Sequence, residues 1–241
     1  KLRFFTDISH ELRTPLTLIA SPIEEIINRE ELSEEGQENI QLAKKNTDRM
    51  LRLINQLLDF RKIQNNKMKL YIEQADVVTL SKKIYDNFTG LAHQRNIGFH
   101  FVCSYDNYTL YTDIDKLEKI LFNLLSNAFK YTPNGKLIRV FIREDEGTVA
   151  IGVQDQGIGI PENKKKSLFV RFENLVDKNL FNQASTGIGL SLVKELAEMH
   201  KATISVESKL GEGSCFKVDF LKGKEPVSYT HLRAHETGRN L

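Results

Sequence analysis

Two stretches of helical periodicity fill the first 66 residues, and they constrain the fold more than any other feature of the chain. In the first stretch, apolar side chains recur at steps of three and four residues, at Ile8, Leu12, Leu16, Ile19, Ile23 and Ile26. At ~100° per residue these positions share one face of a helix. His10 then falls opposite that face, with Thr14 one turn further along the same exposed side. This placement indicates a histidine presented to a reactant rather than one packed in a core.

The second stretch predicts a partner helix. We expect the first helix to end near Glu30, with Ser33 as the N-cap of the next helix and acids at 34 and 35 complementing its dipole. An apolar stripe with heptad-like spacing follows, at Ile40, Ala43, Thr47, Met50, Ile54 and Leu57. Two such helices cannot bury both stripes alone, so we expect a homodimer that forms a four-helix bundle. Pro15 removes a backbone donor and predicts a local kink beside His10.

Residues 9–16 read SHELRTPL, and this run resembles the H-box of sensor histidine kinases. In that family the histidine accepts a phosphoryl group, so the resemblance implies this role for His10. It implies that Glu11 accepts the imidazole proton or orients the ring, and that Thr14 orients a water molecule when the partner protein is dephosphorylated. The alternative is a surface histidine on an amphipathic helix.

A second resemblance lies in residues 117–132, LEKILFNLLSNAFKYT. Asn123, Asn127 and Lys130 share one stripe of this predicted helix, beside its apolar stripe. Amide oxygens are hard ligands that suit Mg²⁺, and a lysine supplies a point charge to phosphate. The run resembles the N-box of histidine kinases.

Two glycine-containing runs follow. Residues 155–161, DQGIGIP, come directly after a predicted strand and resemble the G1 box, in which Asp155 is placed to accept the exocyclic amine of adenine. Residues 185–192, STGIGLSL, open a predicted helix whose N-terminal N–H groups attract phosphate, and they resemble the G2 box with Ser185 in place of the usual glycine. Between them, residues 168–172, LFVRF, resemble the F-box, although Glu173 and Asn174 replace its common aromatic–basic pair.

Each glycine-containing run alone is a weak signal, but the order H-box, N-box, G1, F-box and G2 is specific. The resemblance covers about residues 1–222 and implies a helical dimerisation and phosphoacceptor domain followed by an α/β sandwich ATPase domain of the Bergerat type. The cofactors it implies are ATP and Mg²⁺. The nucleotide-binding residues it implies are Asn123, Asn127, Lys130, Tyr131, Asp155, Gly157, Gly159, Arg171, Thr186, Gly187, Gly189 and Leu190, with Asn123 and Asn127 also as metal ligands.

The chain divides accordingly. Residues 1–66 are predicted to be the dimerisation and phosphotransfer domain, 67–75 a connector and 76–222 the ATP-binding domain. Helices are predicted over 77–95, 113–131 and 187–200, and strands over 97–103, 108–111, 136–144, 147–154, 202–208 and 214–221. Residues 223–241 lack periodicity, and we interpret them as an extension added for expression. The polar segment 162–184 is expected to be a lid that nucleotide orders.

The implied activity is autophosphorylation of His10 from ATP, followed by transfer to an aspartate of a response-regulator receiver domain. Residues 16–27 look most like those of hybrid kinases, which carry their own receiver. Two other classes compete with this interpretation. An ATP-driven conformational machine of the gyrase or MutL type would share the nucleotide pocket but lacks an H-box helix, and a catalytically silent dimerisation scaffold would not need the nucleotide-binding set.

Composition limits the partners. A formal net charge of +2, without basic clusters interleaved with aromatics, argues against nucleic acid. No run of ~18 apolar residues occurs, so no membrane contact is expected from this fragment. Because the chain opens inside a helix pattern, we expect the cytoplasmic portion of an inner-membrane sensor. Cys103 and Cys215 lack metal-ligand spacing and are expected to be reduced, buried thiols, with His93, His100 and His200 as structural residues.

Overall fold

The chain folds into two compact units, Lys1–Met68 and Lys69–Leu241. The structure is a computed structural model. It describes residues 2–29, 32–65, 67–170 and 187–223, with side chains from Pro15 onward except those of Arg29 and Arg49.

The first unit is the helical hairpin that the periodicity predicts. Helix α1 spans Leu2–Arg29 and continues through Pro15 and Pro22, and helix α2 spans Glu34–Gln64. Ser33 is the N-cap of α2, as predicted, since its Oγ accepts a hydrogen bond from the Gly36 N–H at 3.2 Å. The predicted capping geometry of α2 is therefore confirmed.

The two helices bury only part of their apolar stripes against each other. Leu16 packs with Ile54 and Leu58 in a small core. By contrast, Ile19 and Met50, from the same predicted stripes, are each 49% exposed. The side chains of Leu18 and Leu42 are exposed as well. The hairpin therefore carries an apolar surface that it cannot cover by itself, as the pattern of its sequence predicts.

The second unit is a sheet covered by helices, and it confirms the predicted α/β sandwich. Its elements are β1 Glu73–Asp76, α3 Val77–Gln94, β2 Gly98–Cys103, β3 Thr109–Thr112, α4 Ile114–Tyr131, β4 Leu137–Asp145, β5 Thr148–Asp155, α5 Glu162–Lys165, α6 Gly189–Met199, β6 Thr203–Lys209 and β7 Gly213–Leu221. The main sheet has five strands in the order β2-β4-β5-β7-β6. Burial alternates along β4, where Ile138, Val140 and Ile142 are buried, because α3, α4 and α6 cover one face.

Two features of this unit are absent from the sequence prediction. Residues 73–75 belong to the segment predicted as a connector, yet together with Asp76 they form strand β1, which pairs antiparallel with β3. Strand β2 pairs with β4 in parallel, a pairing that the strand predictions do not specify. Both pairings join segments that are distant in the chain, and neither leaves a local pattern.

The cysteines also differ from the prediction, because both are half-buried rather than buried. Cys103 ends the edge strand β2. Cys215 lies opposite the exposed Gln154 on the sheet face that the helices leave uncovered. The two thiols are free, as expected.

A buried polar cluster lies at the start of α4. The Asp113 side chain accepts hydrogen bonds from the N–H groups of Lys116 at 3.1 Å and Tyr71 at 2.8 Å, and so caps the helix. The Asp113 N–H donates to His200 Nε2 at 3.2 Å, and His200 Nδ1 lies 2.7 Å from the Leu196 carbonyl oxygen. These two partners require a neutral ring with its proton on Nδ1, and burial lowers the pKa of His200. The structural role predicted for His200 is confirmed, whereas His93 and His100 are exposed.

Arg95 holds the other end of α4. Its guanidinium donates to the carbonyl oxygens of Phe129 and Thr132, the latter at 2.7 Å, and to Asn134 Oδ1 at 3.0 Å. The last carbonyls of a helix have no partners within it, so a planar donor group that reaches several acceptors at once stabilises this end.

Replacing Arg95 by alanine should therefore destabilise the ATPase unit. The expected loss is about 1–3 kcal/mol of unfolding free energy, the cost of leaving buried carbonyls unpaired. Denaturant unfolding followed by circular dichroism measures this change. The matched control is Arg139→Ala, at an exposed arginine of β4, which should change stability by less than about 0.5 kcal/mol. Equal effects of the two substitutions would contradict the role of Arg95.

Candidate functional site

Helix α4 presents the predicted amide and lysine side chains along one stripe. Asn123 is 8% exposed, and its Nδ2 donates to the Lys119 carbonyl oxygen at 2.7 Å. This bond turns Asn123 Oδ1 toward the start of α6, where a Cβ on Gly189 would lie 3.0 Å from that oxygen. Two of the predicted motifs, the N-box and the G2 box, therefore meet at Asn123 and Gly189.

The next two residues of the stripe are half-buried. Asn127 follows Asn123 by one turn. Lys130 is one turn further, and its Nζ lies 5.2 Å from the centroid of the Tyr131 ring. This contact is a cation–π interaction between neighbours in the chain. The lysine is therefore placed at the same end of α4 as Tyr131.

Asp155 ends strand β5 and is buried, with 7% of its surface exposed. Its Oδ1 accepts a hydrogen bond from the Gly157 N–H at 2.8 Å. Burial raises the pKa of the Asp155 carboxyl to about 6, although hydrogen bonds from the Gly157 and Ser214 backbones act in the opposite direction. A buried carboxyl with so high a pKa is typical of a binding site, where a ligand donor offsets its desolvation.

The turn after Asp155 packs directly on the end of α4. The Ile158 N–H donates to the Tyr131 carbonyl oxygen at 3.3 Å. A Cβ at Gly157 would lie 2.7 Å from the same oxygen, so this position has no room for a side chain. The structure thus brings together Tyr131, Asp155 and Gly157.

A contact that the sequence analysis missed holds the far side of this turn. Gly159 has a φ of +68°, and a Cβ there would lie 1.9 Å from the carbonyl oxygen of Lys209. The Gly211 N–H donates to the Ile158 carbonyl oxygen at 2.7 Å. The turn between β6 and β7 therefore lies against the Asp155 turn. The only sequence signal for this contact is the pair of glycines at 211 and 213, between the strands predicted over 202–208 and 214–221.

The remaining predicted residues are described only in part. Gly187 has a φ of +64°, and Leu190 lies in the first turn of α6. Arg171, Thr186 and most of the predicted lid fall outside the described residues. His10, Glu11 and Thr14 lie in helix α1, but their side chains are outside the described part. Among the described residues, no group of three or more histidine, cysteine or acidic side chains could hold a metal ion.

The donor set nevertheless fits a nucleotide. A buried carboxylate matches the amine of adenine, and a helix start with glycine at its entry matches phosphate. Amide oxygens on α4 match the hard-ligand preference of Mg²⁺.

Family models match both units. Residues 1–66 match the His Kinase A (phospho-acceptor) domain, and residues 112–224 match the Histidine kinase-, DNA gyrase B-, and HSP90-like ATPase family. The fold and the two matches define a protein with a helical domain of the phospho-acceptor family and an α/β domain of the ATPase family. The chain belongs to the sensor histidine kinases, as the resemblance of its motifs predicts, because relatives of that family are 38% and 39% identical over 98% and 90% of it.

Several known proteins are similar over nearly the whole chain. Histidine kinase P4 of Formosa agariphila is 38% identical over 98% of this chain and 17% of its own length. Sensor histidine kinase TmoS of Ectopseudomonas mendocina is 39% identical over 90% of this chain and 22% of its own length. The chain thus spans about a fifth of the length of these relatives.

Solved structures share the fold. The crystal structure of full-length ShkA in complex with AMPPNP has a TM-score of 0.75 and 23% identity, over 94% of this chain and 48% of that one. Histidine kinase AdeS of Acinetobacter baumannii has a TM-score of 0.63 and 21% identity, over 89% of this chain and 98% of that one. Both likenesses support the Bergerat fold of the second unit. Within the described residues, no helix has the length and apolar character needed to cross a membrane.

The pKa of Asp155 predicts how nucleotide binding depends on pH. Only the ionised carboxylate accepts the adenine amine without a competing proton, so binding should weaken about tenfold for each pH unit below about 6. Titration with a fluorescent ATP analogue from pH 5 to 8 measures this dependence. The control is Asp155→Asn, which should bind more weakly at pH 7. Protonation of the phosphates affects the wild type and the Asp155→Asn variant alike, so it cancels in the ratio of their two affinities. A ratio that does not change with pH would contradict the prediction.

Proposed function

We propose that this chain is the catalytic core of a histidine kinase that transfers the γ-phosphoryl group of ATP to His10 and then to a response-regulator aspartate. The observation that carries the proposal is the buried Asp155 carboxyl packed against the end of α4, in the unit that matches the ATPase family. The match of residues 1–66 to the phospho-acceptor family supports the acceptor role.

In this proposal the nucleotide is held by residues of the second unit alone. Asp155 accepts the adenine amine, and Gly157 and Gly159 let the backbone approach the base. The start of α6, from Gly187 to Leu190, directs N–H groups at the phosphates, with Thr186 and Arg171 as further contacts. Asn123 and Asn127 hold Mg²⁺, and Lys130 faces the phosphates as a point charge. Magnesium, when bound, neutralises charge on the β- and γ-phosphates.

The chemistry at His10 is an in-line displacement. The neutral imidazole is the nucleophile, which its near-neutral pKa in water allows. A nitrogen–phosphorus bond forms as the bond from the γ-phosphorus to the ADP oxygen breaks, and Glu11 accepts the imidazole proton. The phosphoryl group then passes to an aspartate of the receiver, which forms an acyl phosphate. Thr14 orients water when that acyl phosphate is hydrolysed.

The first unit supplies the dimer in this proposal. Ile19, Met50 and their exposed neighbours Leu18 and Leu42 form an apolar surface that a second copy of the hairpin covers. One similar protein is named hybrid signal transduction histidine kinase D of Dictyostelium discoideum, at 29% identity. That name supports a receiver domain as the partner. Because ATP is the substrate, we place both units in the cytoplasm.

A second candidate is an ATP-driven conformational machine, since the ATPase family model also includes gyrase B-like and HSP90-like proteins. The phospho-acceptor match over residues 1–66 favours the kinase.

The acceptor assignment is tested by His10→Gln. This variant should lose autophosphorylation and keep ATP binding within about twofold, because the nucleotide contacts lie in the other unit. Incubation with γ-labelled ATP measures it, and the label on the wild type should be lost in acid and survive alkali, as expected of phosphohistidine. The control is His100→Gln, at an exposed histidine of β2, which should be labelled normally. Incorporation of stable phosphoryl label into the His10→Gln variant would contradict the assignment of His10 as the acceptor.

The metal assignment is tested by Asn127→Asp. The new carboxylate keeps an oxygen ligand but repels the triphosphate, so nucleotide affinity should fall about tenfold or more, given a repulsion on the order of a few kcal/mol between nearby unit charges. Calorimetric titration with Mg·ATP measures the affinity, and circular dichroism checks folding. Asn87→Asp, at an exposed position of α3, is the matched control and should bind normally. Unchanged turnover of the Asn127 variant would count against the site.

A further inference from the structure

The half-buried side chain of Ser208, near the end of β6, makes three hydrogen-bond contacts. Its Oγ accepts a hydrogen bond from the Ile160 N–H at 2.9 Å. The same oxygen lies 2.9 Å from the Gly213 carbonyl oxygen and 2.9 Å from Ser214 Oγ. Ser208 therefore contacts both the turn that follows Asp155 and the strand that begins at Gly213.

The donors and acceptors around Ser208 are fully matched. A serine hydroxyl has one proton to donate and two lone pairs that accept. The proton of Ser208 goes to the Gly213 carbonyl, since a carbonyl cannot donate. The lone pairs accept from the Ile160 N–H and from the Ser214 hydroxyl. This assignment uses every hydrogen-bonding position of the side chain, so the hydroxyl specifies the geometry of all three neighbours.

Those neighbours surround the candidate adenine contact. Asp155 is the register partner of Ser214 across β5 and β7, and a Cβ at Gly213 would lie 2.0 Å from the Asp155 carbonyl oxygen. On the other side, the Gly211 N–H holds the Ile158 carbonyl oxygen at 2.7 Å. The β6–β7 turn thus contacts the Asp155 turn at both of its ends.

We infer that Ser208 is a positioning residue for nucleotide binding, whose hydroxyl fixes the turn from Asp155 to Ile160 against the β6–β7 turn. Ser208 does not touch the nucleotide in this arrangement. It acts by keeping the Asp155 carboxylate and the Gly157–Gly159 backbone in the conformation that receives the base, which lowers the entropy lost on binding. The effect of Ser208 on the affinity for ATP rests on the proposed function. Its effect on the conformation of the turn rests only on the hydrogen bonds of its hydroxyl.

The same strand offers a matched control. Ser205 lies three residues before Ser208 on β6, and its Oγ is buried without a hydrogen-bond partner among the residues that the structure describes. Ser205→Ala removes a hydroxyl of the same kind from the same strand and breaks none of the described bonds. Any general effect of a serine-to-alanine change on β6 appears in this variant also.

The experiment compares Ser208→Ala, Ser208→Thr and Ser205→Ala in the whole chain. Amide hydrogen exchange without nucleotide is the first readout, and Ser208→Ala should speed exchange at Ile160 and Gly211 by about tenfold, the scale of one lost net hydrogen bond. Titration with Mg·ATP is the second readout, where Ser208→Ala should bind about fivefold more weakly. Ser208→Thr, which keeps the hydroxyl, and Ser205→Ala should match the wild type in both.

A third readout separates positioning from chemistry. The KM for ATP in autophosphorylation should rise in Ser208→Ala, while kcat at saturating ATP stays within about twofold, because the bound turn is the same once nucleotide fills the site. Wild-type exchange and affinity in Ser208→Ala would overturn the inference, as would an equal loss in Ser208→Thr. A wild-type chain that binds no ATP while exchange still depends on Ser208 would refute the proposed function and leave the positioning of the turn established.

Discussion

The contact between the end of α4 and the turn after β5 is the constraint on which the candidate site depends. The Tyr131 carbonyl accepts the Ile158 N–H, and Gly157 leaves room for that approach. This contact brings Tyr131, the last residue of α4, against the turn that directly follows Asp155. Arg95 also stabilises this end of α4, since it donates to the Phe129 and Thr132 carbonyl oxygens. The helix is therefore held at its carboxyl end by a turn and by a guanidinium.

Much of the fold follows from local patterns. The hairpin was predictable because its two apolar stripes repeat at the helical period, and Ser33 marks where the second helix begins. The helices and strands of the ATPase unit were predictable for the same reason. Strand β1 was not, since its four residues gain their structure only by pairing with β3, more than thirty residues away. Pairing between distant segments depends on tertiary contacts, which no short window of sequence contains.

In the candidate site, too, some features follow from the local sequence and others depend on tertiary contacts. The types of its residues were recognisable from two sequence patterns. One is an acidic residue followed by glycines, and the other is a pair of asparagines four residues apart. The state of Asp155 was not recognisable, because its raised pKa comes from burial by residues of other elements. Ser208 gave no signal either, since a serine in an alternating strand is ordinary until its three partners are known.

The close packing of the β6–β7 turn against the Asp155 turn limits which residues in the two turns can change in evolution. At Gly159 and Gly213 a methyl group would overlap backbone oxygens, at 1.9 Å and 2.0 Å, rather than movable side chains. No second substitution nearby can make room, because backbone atoms are not replaced by mutation. Both positions therefore require glycine. The side chains of Leu210 and Glu212, by contrast, are exposed and can be replaced by others. Where these two turns meet, we therefore expect sequence variation at residues 210 and 212 and not at residues 159 and 213.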